Sequence, residues 1–153
     1  MQEMIKNINK GRSIFINEKN YIVNSKTWYS ITEDNTVSYV KCELSDNKIL
    51  VIIPEDNLIY IGEIIPNLEY KRISSEKILY KNNAFIKTGE GHQFIVKIEF
   101  GNKNDIEGNC IFEDYEFENN IISLGILPDK DNRKADVVAK ILNIENIKIE
   151  NIL

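Results

Sequence analysis

The sequence predicts a mainly β protein, an antiparallel sandwich or partly open barrel of short strands with at most one or two short helices. Three observations predict it. Residues 38–44 alternate strictly, with Val40, Cys42 and Leu44 on one face and Tyr39, Lys41 and Glu43 on the other, the period of a half-buried strand. Residues 49–53 and 58–61 follow after polar turns and are rich in β-branched or aromatic side chains, as strands are. About a dozen such runs recur at roughly 8–12-residue spacing, the rhythm of sandwiches and barrels.

In chain order, Met4, Ile5 and Ile8 stand at near-helical spacing, with Gly11 placed to end a short helix. Residues 13–16 and 21–23 flank the polar turn 17–20 and predict a first hairpin. Residues 28–32 predict the next strand, closed by the turn 32–36. The run 49–53 has no polar face and ends at Pro54, so it predicts a strand covered on both sides. The pattern weakens over 62–83, where 66–72 reads as an extended linker and Ser74-Ser75-Glu76 as the cap of one helical turn. Residues 84–88 and 93–100 predict a hairpin around Gly89-Glu90-Gly91, with Phe94, Val96, Ile98 and Phe100 on one face. Residues 110–118 and 121–127 predict two further strands, and 128–134 a charged loop. Residues 135–142 fit a helical face or a strand; strand neighbours tip the reading to strand. Residues 147–152 predict the last strand.

One domain spanning 1–153 is expected. The two halves hold strand-rich blocks of similar length, over 11–65 and 84–152 with a soft boundary at 66–83, which allows a duplicated unit; no residue-level repeat marks it.

The chain carries 19 basic and 24 acidic residues, for a net charge of −5. The charge is spread evenly, with 9 basic and 11 acidic residues before position 77, so no basic face is visible. Phosphate-backbone binding draws on clustered Lys and Arg, and with three Arg in the chain nucleic-acid binding is not expected. An acidic surface also disfavours anionic membranes. No apolar run approaches the roughly 18 residues of a membrane span, and Met1-Gln2-Glu3 lacks the basic start of a secretory leader. A cytoplasmic location is expected. Cys42 and Cys110 are widely separated and read as buried thiols rather than a redox pair.

His92 is the single histidine. As a general base it would be oriented by Glu90; as a hairpin-tip residue it is simply solvated. A metal site would require His92, Cys42 and Cys110 to converge without a close-spaced pair to seed it. The oxygen-rich stretches 129–132 and 102–109 lack EF-hand spacing, and no phosphate-cradling glycine loop, G-x-S-x-G elbow or CxxC occurs. No cofactor and no metal are expected. The candidate binding residues are Tyr39, Asp114, Glu116 and Glu118. The three acids recur at period two on one strand face, opposite Glu113, suiting a basic partner or the wet face of an edge strand. Tyr39 belongs to an aromatic set with Trp28, Tyr29, Tyr60 and Tyr70, residue types that dominate protein-binding surfaces; Trp28 itself reads as a core residue.

Gly11, Tyr21-Ile22-Val23, Trp28, Tyr39 and Leu44 together resemble the pattern of a bacterial family, domain of unknown function 4178. The resemblance covers residues 11–65 and departs from the family by inserting the turn 33–36 before Tyr39. It implies a β-rich fold and carries no activity and no site residues.

These readings favour a non-catalytic protein-binding module, in particular an acidic inhibitor of the immunity or anti-defence type acting on a basic partner surface by charge steering. The alternatives are a small-molecule or metal-dependent enzyme with its site in a barrel mouth, and a structural subunit of a larger assembly.

Overall fold

A computed structural model of the chain describes residues 1–32, 34, 36, 38–101, 109–126 and 136–149. A helix α1 (Gln2–Lys6) is followed by strands β1 (Ser13–Ile16), β2 (Lys19–Ile22), β3 (Lys26–Ser30), β4 (Tyr39–Glu43), β5 (Lys48–Ile53), β6 (Leu58–Ile64), β7 (Lys71–Ser74), β8 (Lys77–Tyr80), β9 (Asn83–Phe100), β10 (Asn109–Phe117), β11 (Asn120–Ile126), β12 (Val137–Ile141) and β13 (Ile147–Ile149). Single 3-10 turns at Ser45–Asn47 and Ile144–Asn146 complete the described elements.

The body is an eight-stranded antiparallel barrel. Strands β3 to β6 form one up-and-down meander and β9 to β12 another. The meanders close on each other first strand to first strand and last to last, β3 against β9 and β6 against β12, both antiparallel. The two strand-rich blocks of the sequence are therefore two halves of one barrel, related by a pseudo-twofold arrangement. The expected linker 66–72 gives way to strand at Lys71, and the stretch 66–83 supplies β7 and β8, which continue the sheet from the start of β9.

An eight-stranded barrel leaves an interior that side chains can fill. Here Tyr29, Tyr39, Ile49, Val51, Tyr60, Ile121, Val137 and Ala139 fill it. Two outer layers cover the wall. On one side α1 and the sheet β13-β1-β2 pack Ile5, Ile8, Ile14, Ile16 and Val23 against Val40, Cys42, Leu50, Ile52 and Ile59. On the other, Leu68, Ile78 and Phe85 pack against Tyr115, Ile122 and Leu124. Strand β5 shows why its sequence lacks a polar face: Ile49 and Val51 belong to the interior, Leu50 and Ile52 to the first outer layer. Burying each such side chain stabilises the fold by about 1.5–3 kcal/mol. The same rule settles residues 137–141 as strand, with Val137 and Ala139 inward and Val138 against the second outer layer.

Four local expectations are corrected. Gly89-Glu90-Gly91 makes no hairpin tip, because β9 runs unbroken through it for 18 residues. The strand is long because it serves three partners. One edge pairs β8 over 83–86 and β3 over 94–100, and the other pairs β10 over 86–94. A bulge places Thr88 as an extra residue opposite Asp114 and Tyr115, and further shifts against β3 bend the strand around the wall. These shifts undo the alternation expected of 94–100: Ile95 packs against the interior cluster, whereas Ile98 is exposed. Ser74 does not cap a helical turn but steadies the β7–β8 hairpin, its Oγ accepting from Glu76 N at 3.2 Å. Finally, α1 ends at Asn7 rather than at Gly11.

The first hairpin follows the sequence closely. Asn17 and Glu18 both have positive φ, at 51° and 66°, between Ile16 and Lys19 in register, the backbone of a two-residue turn matched to strand twist.

Candidate functional site

The barrel gathers three hairpin connections at one end: 31–38 between β3 and β4, 54–57 between β5 and β6, and 118–119 between β10 and β11. Their sequences contain Asp34, Glu55, Asp56 and Glu118 and not one Lys or Arg. All four carboxylates are exposed. Glu33 belongs to the first connection in sequence and lies outside the described residues.

Local structure fixes where these charges stand. Thr32 Oγ1 and Thr36 N donate to Asp34 Oδ1, the latter at 3.0 Å. The hydrogen bond from Thr32, followed by that from Thr36, holds the Asp34 carboxyl below the usual range, so it stays ionised. Pro54 starts a turn in which Asn57 N donates to Pro54 O at 3.1 Å, and Asn57 takes a positive φ of 49°. That turn sets Glu55 and Asp56 at its tip. Glu118 occupies the two-residue turn after β10 at φ 52°. An acidic barrel end results, its four carboxylates spread over three turns, with Glu55 and Asp56 neighbours on one of them, and all exposed.

Strand β10 leads to this end and divides its acids between two faces. It is not an edge strand, since β9 and β11 flank it on both sides; the edge-strand reading of its acidic row is corrected. Asp114 stands opposite Ser123, which stands opposite the interior residue Val137, so Asp114 faces inward. Ser123 Oγ donates to Asp114 Oδ1 at 2.6 Å. Burial pushes the Asp114 carboxyl up to about 6; the Ser123 hydrogen bond opposes this and the Glu116 charge adds to it. Glu116 stands opposite Ile121 of the interior. Burial, then the Asp114 charge, pushes the Tyr60 hydroxyl upward.

The outward face of β10 carries a closed network. Arg72 donates through Nη1 to the Tyr115 hydroxyl at 2.9 Å and through Nη2 to Glu113 Oε1 at 3.2 Å. Tyr115 donates to Glu113 Oε2 at 2.8 Å, and Lys87 bridges Glu113 and Glu90, each at 3.0 Å. Burial raises the Glu113 carboxyl, but the hydrogen bonds from Lys87 and Tyr115 and the Arg72 charge outweigh it and hold the group below its usual range.

Of the four residues singled out in the sequence, the structure brings Asp114 and Glu116 together on the inward face. It places Glu118 at the exposed turn beyond them. Tyr39 is buried and stacks on Tyr29, with ring centroids 4.9 Å apart and an interplanar angle of 5°, so it belongs to the interior. Trp28 is half-buried at the margin of the first outer layer, its Nε1 donating to Glu99 Oε2 at 2.9 Å. His92 is exposed within β9 opposite Ile111, and the Glu90 carboxylate engages Lys87 instead. Cys42 is a buried free thiol pushed up to about 12 by burial. The side chain of Cys110 and the stretches 102–108 and 129–132 lie outside the described residues. Among the described residues no three His, Cys, Asp or Glu side chains group as a metal site, and no helix is long and apolar enough to cross a membrane.

Sequence reading missed Asp34, Glu55 and Asp56. Each lay in a recognised polar turn, but only the barrel's closure shows that these turns share an end. No protein-family model, no curated protein and no solved structure matches the chain.

Proposed function

We propose that this chain is a non-catalytic, cytoplasmic protein-binding module that presents its acidic barrel end to a basic surface on a partner protein, as an inhibitor of the immunity or anti-defence type does. The observation that carries the reading is the charge of these connections: three at one end, with four exposed carboxylates and no Lys or Arg in their sequences. Such a surface steers a basic partner by long-range attraction and rejects acidic ones. The resemblance of residues 11–65 to the bacterial family of unknown function 4178 is compatible with this role and adds no activity to it.

The test is affinity capture from a bacterial lysate with identification of the retained proteins, comparing the wild type with the fourfold variant Asp34→Asn, Glu55→Gln, Asp56→Asn, Glu118→Gln. A basic protein retained at low salt by the wild type, released by salt and lost from the variant supports the reading. Asp114→Asn, being inward, keeps the interaction. Identical retention by the wild type and the fourfold variant overturns it.

One observation favours a second reading, an enzyme with its site in the barrel mouth: burial pushes the Asp114 carboxyl up to about 6, with Glu116 two residues on along the same face, and a carboxyl so perturbed is a mark of acid–base sites. Loss of a substrate-dependent activity in Asp114→Asn, with binding to basic proteins unaffected by the fourfold change, would select it.

A further inference from the structure

Where the two outer layers approach each other over the β6–β12 seam, residues of both line a cleft of about 420 Å³, within the size range of small-molecule sites. Its floor is Ile61 of β6 and Val138 of β12. Both face outward, because the inward positions of these strands are taken by Tyr60 and by Val137 and Ala139. Its walls are two tyrosines, one from each layer: Tyr21 of β2 and Tyr80 of β8.

The rim is cationic, against the charge of the whole. Lys48, Lys81 and Lys140 line it with one carboxylate, Glu63. Lys48 forms an ion pair with Glu63, which leaves Lys81 and Lys140 as the rim cations without an ion pair among the described residues. Both are exposed. Lys81 sits 5.4 Å from the centre of the Tyr80 ring, held by a turn in which it takes a φ of 46°. Lys140 stands opposite Ile61 in register and directly above the apolar floor. In a chain of net charge −5, two ammonium groups with no ion pair among the described residues, flanking an aromatic-walled, apolar-floored cleft, select for an anion with an apolar body. The Asn120 side chain, also at the rim, adds a polar edge.

We propose that this cleft binds a small organic anion, a carboxylate or sulfonate on an aromatic or compact aliphatic body, with the body on Ile61 and Val138 between the two tyrosines and the anionic group at Lys81 and Lys140. The site is on the outside of the wall, and its Asn120 directly follows the turn that carries Glu118.

The test is a two-dimensional ¹H–¹⁵N NMR titration of the whole chain with 1-naphthalenesulfonate, beside 1-naphthalenemethanol as the uncharged body. The expected result is saturable shifts confined to the cleft, at residues 61–63, 80–82 and 138–140. Affinity falls about tenfold for the alcohol and about tenfold for Lys81→Glu/Lys140→Glu, the loss of two charge contacts near the surface. Both lysines are exposed, so the variant's unchanged spectrum elsewhere verifies its fold. The variant Asp34→Asn/Glu55→Gln/Asp56→Asn, which spares Glu118 beside the cleft, binds the sulfonate as the wild type does, which separates this site from the protein-binding surface. Unsaturable or scattered shifts overturn the proposal, as does equal binding of sulfonate and alcohol or equal binding by the lysine variant.

Discussion

Arg72 Nη1 donates to the hydroxyl of Tyr115 at 2.9 Å across 43 positions of sequence, and this contact fastens the outermost hairpin to the barrel wall. All four residues of β7 are exposed, so little apolar burial holds that strand. Tyr115→Phe removes an acceptor from Arg72 and a donor from Glu113 together. The expected loss is about 1–2 kcal/mol, and hydrogen exchange should quicken over residues 71–80 before it quickens in β4 or β5. Uniform quickening across the barrel would show that the tyrosine hydroxyl supports the whole body rather than the hairpin.

Asp114 makes stability depend on pH in an unusual direction. Its carboxyl titrates at about 6 in the fold against an ordinary 3.8, so the folded state holds the proton more tightly. Its contribution is therefore fully present below the ordinary value and is lost as pH rises through about 6. Asp114→Asn should gain on the wild type by about 1–3 kcal/mol between pH of about 4 and about 7, read from urea midpoints at both. Glu113 and Asp34, held below their usual range, act in the opposite sense as pH falls and remain in both proteins, so the difference isolates Asp114.

Lys26 is 1 % exposed and holds α1 down. Its Nζ donates to Ile5 O at 2.7 Å and Ile8 O at 3.2 Å and pairs with Glu99 at 3.1 Å. A five-residue helix has no stability of its own. Lys26→Met should cost about 2–4 kcal/mol by stranding two carbonyls and a carboxylate. Amide protection over 2–8 should disappear first, and the emission of Trp28, 5.1 Å from the ammonium, should shift. An unchanged exchange pattern at α1 would contradict this anchoring role.

Gly62 lets the last strands of the two meanders come together. A Cβ there would lie 2.4 Å from Val138 O and 2.6 Å from Ala139 Cβ, so Gly62→Ala must pry β6 from β12. The expected cost is about 2–4 kcal/mol, measured by thermal unfolding. A change below 0.5 kcal/mol, about the scatter of neutral surface changes, would mean the seam yields without strain.

Where period two governed, the sequence was legible. Residues 49–53 announced a doubly covered strand, 38–44 announced its faces, and 137–141 resolved as strand once the neighbours were strands. Legibility failed where a residue's role depends on a distant partner. Gly89 and Gly91 look like a tip, yet the ladder with β10 carries the chain through them, and nothing local reports that ladder. Asp114 and Glu118 look alike in an alternating row. One meets Ser123 across the sheet and turns inward, while the other ends on an exposed turn. Asp34, Glu55 and Asp56 are ordinary turn residues until three separate hairpins are brought to one rim. Nothing beside Lys26 in the chain marks it as buried, because its three acceptors come from two remote segments.

The first-to-first and last-to-last closure of the two meanders has a consequence for biosynthesis. The seam of β3 needs residues 94–100 and the seam of β6 needs residues 137–141. While a ribosome is still short of those positions, the N-terminal meander hangs with both flanks bare, open to other nascent chains. Pairings of such long sequence separation form slowly. The molecule thus completes itself only as its final third emerges, and chaperone capture would act on that half-built sheet.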